Sequence, residues 1–390
     1  MSRKFIPLSV PNLKGKELEY VTHAVETEWV STGGPYVNDF EMKIAGYVKC
    51  KGAVSCQNGT SGLHIALEVC GVTKADEVIV PTLTFIAAVN PVKYIGAEPI
   101  FMDCDDSLCM DVDKLKDFCE LECNFIEGKL INKKTDKHIK ALVVVHVFGN
   151  MADMEGIIDI ANMYNLKIVE DATEAIGTYY IEGRYKDRHA GTIGDIGVYS
   201  FNGNKIMTTG GGGMIVSNNE ELLKKAKHLT TQAKSDELYY THDEIGYNYR
   251  MTNLQAALGL AQLEQLEKFI TVKHDNYLLY NDCIQRIDGL ELLSFRKELR
   301  PNYWFYSVSV DRDVYGLNRD ELLNRLSESS IQSRPIWGLL HEQKPYIYSQ
   351  TYRIEKANFY YDKILNIPCS SNLMIEDVKY ICALLTKIKN

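Results

Sequence analysis

Short apolar runs alternate with amphipathic stretches from about residue 52 to residue 171, and this alternation predicts the main architecture. The predicted strands are Ala53–Cys56, Glu77–Val80, Pro99–Met102, Ala141–Val145 and Lys167–Val169. The predicted helices are Ser61–Cys70, Phe85–Tyr94 with a kink at Pro91, Val112–Cys123 and Met154–Tyr164. Strands that alternate with helices of about a dozen residues are typical of a mostly parallel sheet covered on both faces. The pattern therefore predicts an α/β domain.

The chain before and after these residues does not continue the alternation of strands and helices. Residues 14–29 have the apolar spacing of an amphipathic helix, and the polar insertion 132–137 indicates a surface hairpin. The elements predicted after residue 252 are a long helix over Asn253–Arg286, a strand over Tyr303–Val310 and helices near Arg319–Leu326 and Glu376–Ile388. We expect a large domain over 1–252, whose N-terminal segment can pack on the second domain, and a smaller α+β domain over 253–390.

Composition narrows the class of ligand. The chain has 390 residues and a formal net charge of −9, which argues against a nucleic-acid or anionic-membrane partner but leaves room for a small anionic ligand. The N-terminal residues lack the apolar core of a signal peptide. Ten scattered cysteines without a CxxC pair predict reduced thiols and no metal site. We expect a cytoplasmic protein.

Ligands of parallel α/β sheets bind beyond the carboxyl ends of the strands. That rule selects four strand-end loops as candidate site loops: Cys56–Ser61, Pro81–Phe85, His146–Asn150 and Asp171–Glu174. A fifth candidate is Gly197–Lys205, a strand-like run that passes Ser200 and an Asn/Gly turn before it reaches a lysine. A lysine held between apolar strands, with a glycine run after it, is a candidate nucleophile, although most lysines are exposed and have no chemical role.

Two of these loops carry groups that suit an anionic or cationic part of a ligand. Asp171 follows a buried strand and could pair with a ligand cation, or it could cap the segment that follows. Glu170 must face the other side of the sheet, because neighbouring side chains in a strand alternate. The turn Asn58–Gly62 opens a helix and suits a phosphate, although an ordinary capped turn would have the same sequence. Phe85 could stack on a planar ligand or pack in the core.

Together a nucleophilic lysine, a strand-end carboxylate, a phosphate-binding turn and an aromatic side chain are what pyridoxal 5'-phosphate (PLP) requires. Six motifs in order also resemble the DegT/DnrJ/StrS family of PLP-dependent sugar aminotransferases. They are Trp29–Gly34, Asn58–Thr60, Pro81–Phe85, Glu170–Ala172, Ser200–Phe201 with Lys205, and Gly246–Met251. The resemblance covers nearly the whole chain. It implies a fold type I aminotransferase with a seven-stranded-type sheet, acting as a homodimer with sites at the subunit interface.

The resemblance also assigns roles to individual residues. Lys205 would bind the cofactor covalently and act as the general acid and base, and Asp171 would pair with the ring nitrogen. The other implied cofactor contacts are Gly59, Thr60, Ser61 and Ser200 at the phosphate, Phe85 on the ring, and Asn248 at the phosphate of the neighbouring subunit. Glu174 stands where the family more often has a glutamine that contacts the ring oxygen, which leaves the role of that contact open.

Three further residues have weaker assignments from the resemblance. Arg250 and His341 are candidates for substrate binding, and Arg250 could equally be a structural ion-pair partner. Trp337 is expected to pack rather than to hold a nucleotide base.

The implied reaction moves an amino group from glutamate to C4 of a UDP-linked 4-keto-6-deoxy-N-acetylhexosamine. Within the family, the motifs resemble the branch that makes amino sugars for bacillosamine- and legionaminic-type glycans. A GDP- or dTDP-linked keto sugar is the alternative substrate, and a regulatory PLP-binding protein without turnover is the alternative class. A sugar dehydratase of the same family would have histidine in place of Lys205.

Overall fold

A large mixed sheet dominates the structure, a computed structural model that describes residues 5–236 and 238–389. The strands are β1 Gly52–Cys56, β2 Asp76–Pro81, β3 Glu98–Met102, β4 Cys123–Ile126, β5 Lys129–Asn132, β6 His138–Val145, β7 Lys167–Asp171, β8 Tyr179–Tyr180, β9 Ile196–Ser200, β10 Gly213–Ser217, β11 Lys234–Asp236, β12 Thr241–His242, β13 Leu290–Leu292, β14 Leu299–Arg300, β15 Tyr306–Val310, β16 Arg334–Pro335, β17 Gln350–Tyr352 and β18 Ile364–Ile367.

Helices surround the sheets. They are α1 Glu17–Glu26, α2 Pro35–Tyr47, α3 Gly59–Val69, α4 Asn90–Ile95, α5 Val112–Leu121, α6 Met154–Tyr164, α7 Glu220–Thr230, α8 Asn253–Leu263, α9 Leu266–Ile284, α10 Arg312–Tyr315, α11 Arg319–Glu328, α12 Lys356–Lys363 and α13 Ile375–Lys389. Single 3₁₀ turns occur at Ile86–Ala88, Val147–Gly149 and Leu340–Glu342.

The main sheet has the strand order β1-β10-β9-β7-β6-β2-β3-β17. Strand β10 is antiparallel to both of its neighbours, and the ladders from β9 to β17 are all parallel. The β4–β5 hairpin adds to β6 in the antiparallel sense. Val143 and Val144 are adjacent in β6 and both fully buried, as expected for a strand covered on both faces. The predicted α/β fold with a mostly parallel sheet is confirmed.

A second sheet, β13-β15-β18-β16, is antiparallel throughout and lies in the C-terminal part of the chain. The N-terminal segment packs beside it, since the amide of Ile6 donates to the Ser330 carbonyl at 2.9 Å and the amide of Cys369 donates to the Leu8 carbonyl at 2.8 Å. Although β17 belongs to the C-terminal part of the chain, it pairs with β3 of the main sheet. The predicted domain boundary at residue 252 stays a prediction.

Three predicted elements differ from the structure. The long helix over 253–286 is interrupted between α8 and α9. The helix predicted from Phe85 to Tyr94 is a 3₁₀ turn followed by α4, because Pro91 lacks the amide that a continuous helix needs and instead occupies the first turn of α4. The strand predicted from Tyr303 begins only at Tyr306, since Tyr303 has a left-handed φ of 55°. Helix α2, which has a proline in its first turn, was not predicted.

Other predictions agree with the structure. The polar insertion forms the turn of the β5–β6 hairpin, where the amide of Asn132 donates to the Lys137 carbonyl at 2.9 Å. All ten cysteines are free thiols. None of the helices over the described residues combines the length and the apolar character that crossing a bilayer requires.

Candidate active site

A cavity of about 620 Å³ opens at the carboxyl ends of the parallel strands, where the main sheet approaches the second sheet. Its floor is formed by residues at the ends of β6, β7 and β9, and its far wall comes from the C-terminal part of the chain. The predicted site residues that line it are Gly59, Thr60, Phe85, Asp171, Glu174, Ser200 and Lys205. Pairing aligns Val145 with Asp171 and Asp171 with Val198, so the three strand ends meet at this edge.

Lys205 lies on the turn between β9 and β10, where its amide donates to the Asn202 carbonyl at 3.0 Å. Its side chain is only 13% exposed, and its Nζ lies 3.4 Å from Glu174 Oε1. The same Nζ lies 4.2 Å from the centre of the Trp304 ring. The amine is therefore held inside the cavity between a carboxylate and an indole face, rather than in solvent.

Glu170 and Asp171 face opposite sides of the sheet, as the alternation in β7 predicts. Asp171 lines the cavity, and its Oδ1 accepts from the Thr173 amide at 3.0 Å. Burial raises the pKa of its carboxyl, against the lowering effects of the hydrogen bonds from Thr173 and of the Lys205 charge. The alternative role of Asp171 as a helix cap is wrong, because residues 172–178 form turns rather than a helix.

The N-terminus of α3 forms another end of the cavity. Asn58 and Ser61 make a capping box, in which Asn58 Oδ1 accepts from the Ser61 amide at 2.8 Å and the Ser61 hydroxyl turns back to the Asn58 main chain. Thr60 and Ser200 line the cavity, but Ser61 does not. A Cβ at Gly59 would lie 3.0 Å from Ser200 Cβ, so the helix start and the end of β9 are in close contact.

Phe85 lies in the cavity wall and is 55% exposed. The alternative of simple core packing is therefore wrong, and the side chain is open to contact with a ligand in the cavity.

Glu174 is buried, and its pKa is raised by burial, with the charge of Lys205 acting in the opposite direction. Its Oε2 accepts from the amide of Phe148 at 2.9 Å. Phe148 has a left-handed φ of 57°, which is unfavourable for a bulky residue and marks local backbone strain next to the cavity. The carboxylate is thus shared between a strained main-chain amide and the amine of Lys205.

Besides Ser61, three predicted site residues do not line the cavity. Asn248 and Arg250 line a second cavity of about 580 Å³, and Arg250 Nη1 contacts Glu41 Oε1 at 2.8 Å, the structural ion pair that was the alternative reading. His341 is not among the lining residues, and its Nδ1 lies 2.6 Å from the hydroxyl of Thr82. Trp337 lines the cavity while packing on Phe148, with ring centres 4.6 Å apart.

Sequence reasoning missed the wall contributed by the C-terminal part of the chain. Its lining residues include Trp304, Phe305, Gln332, Arg334 and Asn366. The apolar pattern of Tyr303–Val310 predicts one continuous strand and does not indicate that Trp304 and Phe305 line a cavity. The only available signal was the unusual density of aromatic residues before β15.

The residues present fit PLP. The cavity joins an amine, a buried carboxyl, the N-terminus of an 11-residue helix and an exposed aromatic ring, and the cofactor offers an aldehyde, a ring nitrogen, a phosphate and a planar ring to match them. The lysine and the acid lie at the carboxyl edge of a mostly parallel sheet, which is consistent with a fold type I PLP-dependent aminotransferase.

The chain belongs to the DegT/DnrJ/EryC1/StrS aminotransferase family, whose profile matches residues 11–386. The enzyme class predicted from the sequence, a PLP-dependent nucleotide-sugar aminotransferase, is thereby confirmed. The chain is similar to a GDP-perosamine synthase of Escherichia coli O157:H7, with 38% identity over 97% of each chain. It is 28% identical to a UDP-4-amino-4,6-dideoxy-N-acetyl-beta-L-altrosamine transaminase of Campylobacter jejuni, over 96% of this chain and 95% of the other.

A solved aminotransferase of the same family from Brucella abortus superposes with a TM-score of 0.87. It is 26% identical and is matched over 96% of this chain and 95% of that one. The whole fold, and not only the central sheet, is therefore shared.

Proposed function

We propose that this protein transfers an amino group from glutamate to the 4-keto group of a GDP-linked 6-deoxyhexose, with PLP as cofactor. The observation that supports the reaction type is the meeting of Lys205, Asp171 and the α3 N-terminus in one cavity. The observation that favours the GDP sugar is the identity to the GDP-perosamine synthase, 38% against 28% for the UDP-sugar transaminase. The UDP-linked N-acetylhexosamine predicted from the motifs is not confirmed and is the second candidate.

The residues of the cavity have separate tasks in this proposal. Bound PLP supplies the electron sink that lets nitrogen leave glutamate and join a ketone. The α3 N-terminus and the Thr60 and Ser200 hydroxyls bind the phosphate, Phe85 lies against the ring, and Asp171 keeps the ring nitrogen protonated. Lys205 would hold the cofactor covalently through its Nζ, and the free amine would serve as the group that moves a proton to or from the substrate carbon. In sum, glutamate and the keto sugar become 2-oxoglutarate and the amino sugar.

The assignment of Lys205 can be tested directly. Borohydride treatment of the PLP-loaded protein, followed by peptide mapping, should find the cofactor attached to Lys205. Lys205→Ala should lower kcat by about 10⁴-fold, because it removes both the covalent attachment and the general base. Its fold should persist, since no core side chain is lost. Finding the cofactor on a different lysine would contradict the assignment.

The acceptor is tested by comparing kcat/KM for GDP-, UDP- and dTDP-linked 4-keto-6-deoxy sugars with glutamate as the donor. We expect the GDP sugar to be preferred by tenfold or more, which corresponds to about 1.4 kcal/mol of transition-state binding. A tenfold preference for the UDP-linked N-acetyl sugar would reject the GDP assignment and leave the aminotransferase reaction intact. Glutamate that leaves the absorbance of the PLP-loaded protein unchanged would count against the reaction itself.

We also propose that the enzyme is a homodimer with shared sites. Asn248 lines the second cavity and not the cavity that holds Lys205, which supports a role for it at the phosphate of a neighbouring subunit. Mixed dimers of Lys205→Ala and Asn248→Ala protein should regain activity, because one of the two hybrid sites carries neither change. If the mixture stays inactive while both variants remain dimeric, the sharing proposal fails.

A further inference from the structure

Trp304 touches the amine of Lys205 and also the chain next to it. The Lys205 Nζ lies 4.2 Å from the ring centre of Trp304, within the range of a cation–π contact. The indole Nε1 donates to the carbonyl of Asn204 at 3.0 Å, and Asn204 directly precedes Lys205. The ring is therefore fixed to the same turn that carries the lysine.

The main chain of Trp304 is held from several sides. Its amide donates to Asn302 Oδ1 at 2.9 Å, and its carbonyl accepts from Lys273 Nζ at 3.0 Å. Lys273 is buried, and burial lowers the pKa of its amine; the amine donates to main-chain carbonyls, those of Trp304 and Cys369. Between Asn302 and Trp304, the left-handed φ of 55° at Tyr303 is unfavourable for a bulky side chain. Strain of this kind persists only where the surroundings over-determine the conformation.

Asn302 connects the two groups that contact Lys205. Its side chain is fully buried, and its Nδ2 donates to the carbonyls of Glu174 and Ile176, both at 2.9 Å. Its Oδ1 receives the Trp304 amide. One side chain thus sets the spacing between the residue that supplies the carboxylate and the residue that supplies the indole.

We propose that Trp304 is a positioning residue for Lys205, with Asn302 as the link that fixes it relative to Glu174. The ring face and the carboxylate hold the amine inside the cavity whenever it is not bonded to the cofactor. The inference rests on the proposed function in taking Lys205 as the reacting amine. It extends that function by giving the C-terminal part of the chain a direct task at the amine.

The first experiment needs no cofactor and no sugar. Full-length protein freed of PLP is treated with a trace of acetic anhydride at fixed pH, and the acetylation rate of Lys205 is measured by peptide mass spectrometry. Trp304→Met fills part of the indole volume without a ring, whereas Trp304→Phe keeps a ring face but loses the hydrogen bond to Asn204. We expect Lys205 to be labelled about threefold faster or more in Trp304→Met, and within about twofold of wild type in Trp304→Phe.

Trp337→Met is the matched control, since Trp337 lines the same cavity and packs on Phe148. The Lys205 labelling rate should not change in that variant. Equal labelling in Trp304→Met and wild type would overturn the inference, and so would an equal rise in the Met and Phe variants. If the circular dichroism spectrum shows that Trp304→Met is not folded, Trp304→Leu takes its place.

Kinetics of the PLP-loaded enzyme provide the second readout. Trp304→Met should lower kcat about tenfold with KM for the keto sugar within about twofold, and Trp304→Phe should recover most of the loss. A rise in KM alone would overturn the positioning role. If the wild-type protein aminates none of the keto sugars but the labelling result holds, the proposed function fails while the contact between Trp304 and the amine stands.

Discussion

Glu170 and Asp171, neighbours at the end of β7, lie on opposite faces of the main sheet, and their environments shift the pKa values of their carboxyls in opposite directions. On one side, Glu170 accepts from His146 Nε2 at 2.8 Å and from the amides of Gly191, Ile193 and Gly194. Burial alone would raise the pKa of Glu170, but these donors outweigh it and the pKa is lowered. On the other side, burial dominates at Asp171 and raises its pKa.

The difference indicates that Glu170 has a structural role and that Asp171 is available to bind a ligand. His146 Nδ1 accepts from the Ala152 amide at 3.3 Å, so its Nε2 carries the proton that it gives to Glu170. Glu170 therefore ties two loops behind the cavity together and has no need of a ligand. Asp171 has a cavity in front of it and gains a strong partner only if a cation is bound there. A buried acid of this second kind indicates a functional site.

Of the variants that distinguish Asp171 from Glu170, Asp171→Asn should have the largest effect on catalysis. We expect kcat to fall by about 10²-fold or more, because a neutral amide cannot keep the ring nitrogen of PLP protonated. The folded PLP-free protein should unfold at the same or higher urea concentration than wild type, since a buried charge has been removed. A variant with full activity would show that Asp171 is not the partner of the ring nitrogen.

Glu170→Gln should show the opposite pattern. The side-chain amide of this variant would place its own N–H group against the His146 and main-chain donors that now bind the carboxylate. We therefore expect the free energy of unfolding to drop by about 3 kcal/mol at neutral pH. In the folded fraction, kcat should stay within about threefold of wild type. Urea unfolding and kinetics of the same preparation measure both quantities, and a loss of turnover without a loss of stability would contradict the structural role of Glu170.

The stability of the fold should depend on pH in opposite directions through Glu170 and Asp171. The pKa of Glu170 is lowered in the folded state, so its stabilising contribution is present above the ordinary pKa of about 4.3 and is lost as the pH falls through the folded value. The pKa of Asp171 is raised, so its ionisation destabilises the PLP-free fold as the pH rises through the folded value. The stability differences of Glu170→Gln and Asp171→Asn from wild type should thus be opposite near pH 7. The Asp171→Asn difference should shrink as the pH falls from the raised pKa of Asp171 toward the ordinary value of about 3.9, whereas the Glu170→Gln difference should shrink only below about pH 4.3.

The smallest expected effect belongs to Glu174→Gln. The amide oxygen can still accept from the Phe148 amide, and only the charge facing Lys205 is lost. We expect kcat to change by about threefold, because the contact of 3.4 Å between the carboxylate and the Lys205 amine is long and the amide oxygen of the variant can still accept from that amine. Glu174→Ala is the informative companion, because it also leaves the buried Phe148 amide without its acceptor and should lower the midpoint of urea unfolding. Equal stability of the two variants would show that the Phe148 contact contributes little.

The sequence alone determined the α/β fold and most of the floor of the cavity. Period and length identified β1, β2, β3, β6 and β7 and the helices α3, α5 and α6, because these are local properties of the chain. The rule that parallel strands end at one edge then predicted that Thr60, Phe85 and Asp171 lie together. Lys205 was added to them as a candidate nucleophile, because the four groups together match the parts of PLP. The opposite facing of Glu170 and Asp171 followed from the same local geometry.

Only the tertiary structure decided how those groups are used and what faces them. The Ser61 hydroxyl is engaged in the capping box of α3, and Arg250 is paired with Glu41, because each has a nearby partner that residue type alone does not reveal. Trp304 reaches Lys205 from a distant part of the chain through a strained turn at Tyr303. Contacts between residues far apart in sequence depend on packing and on strain that the whole fold must offset, and no local pattern encodes them.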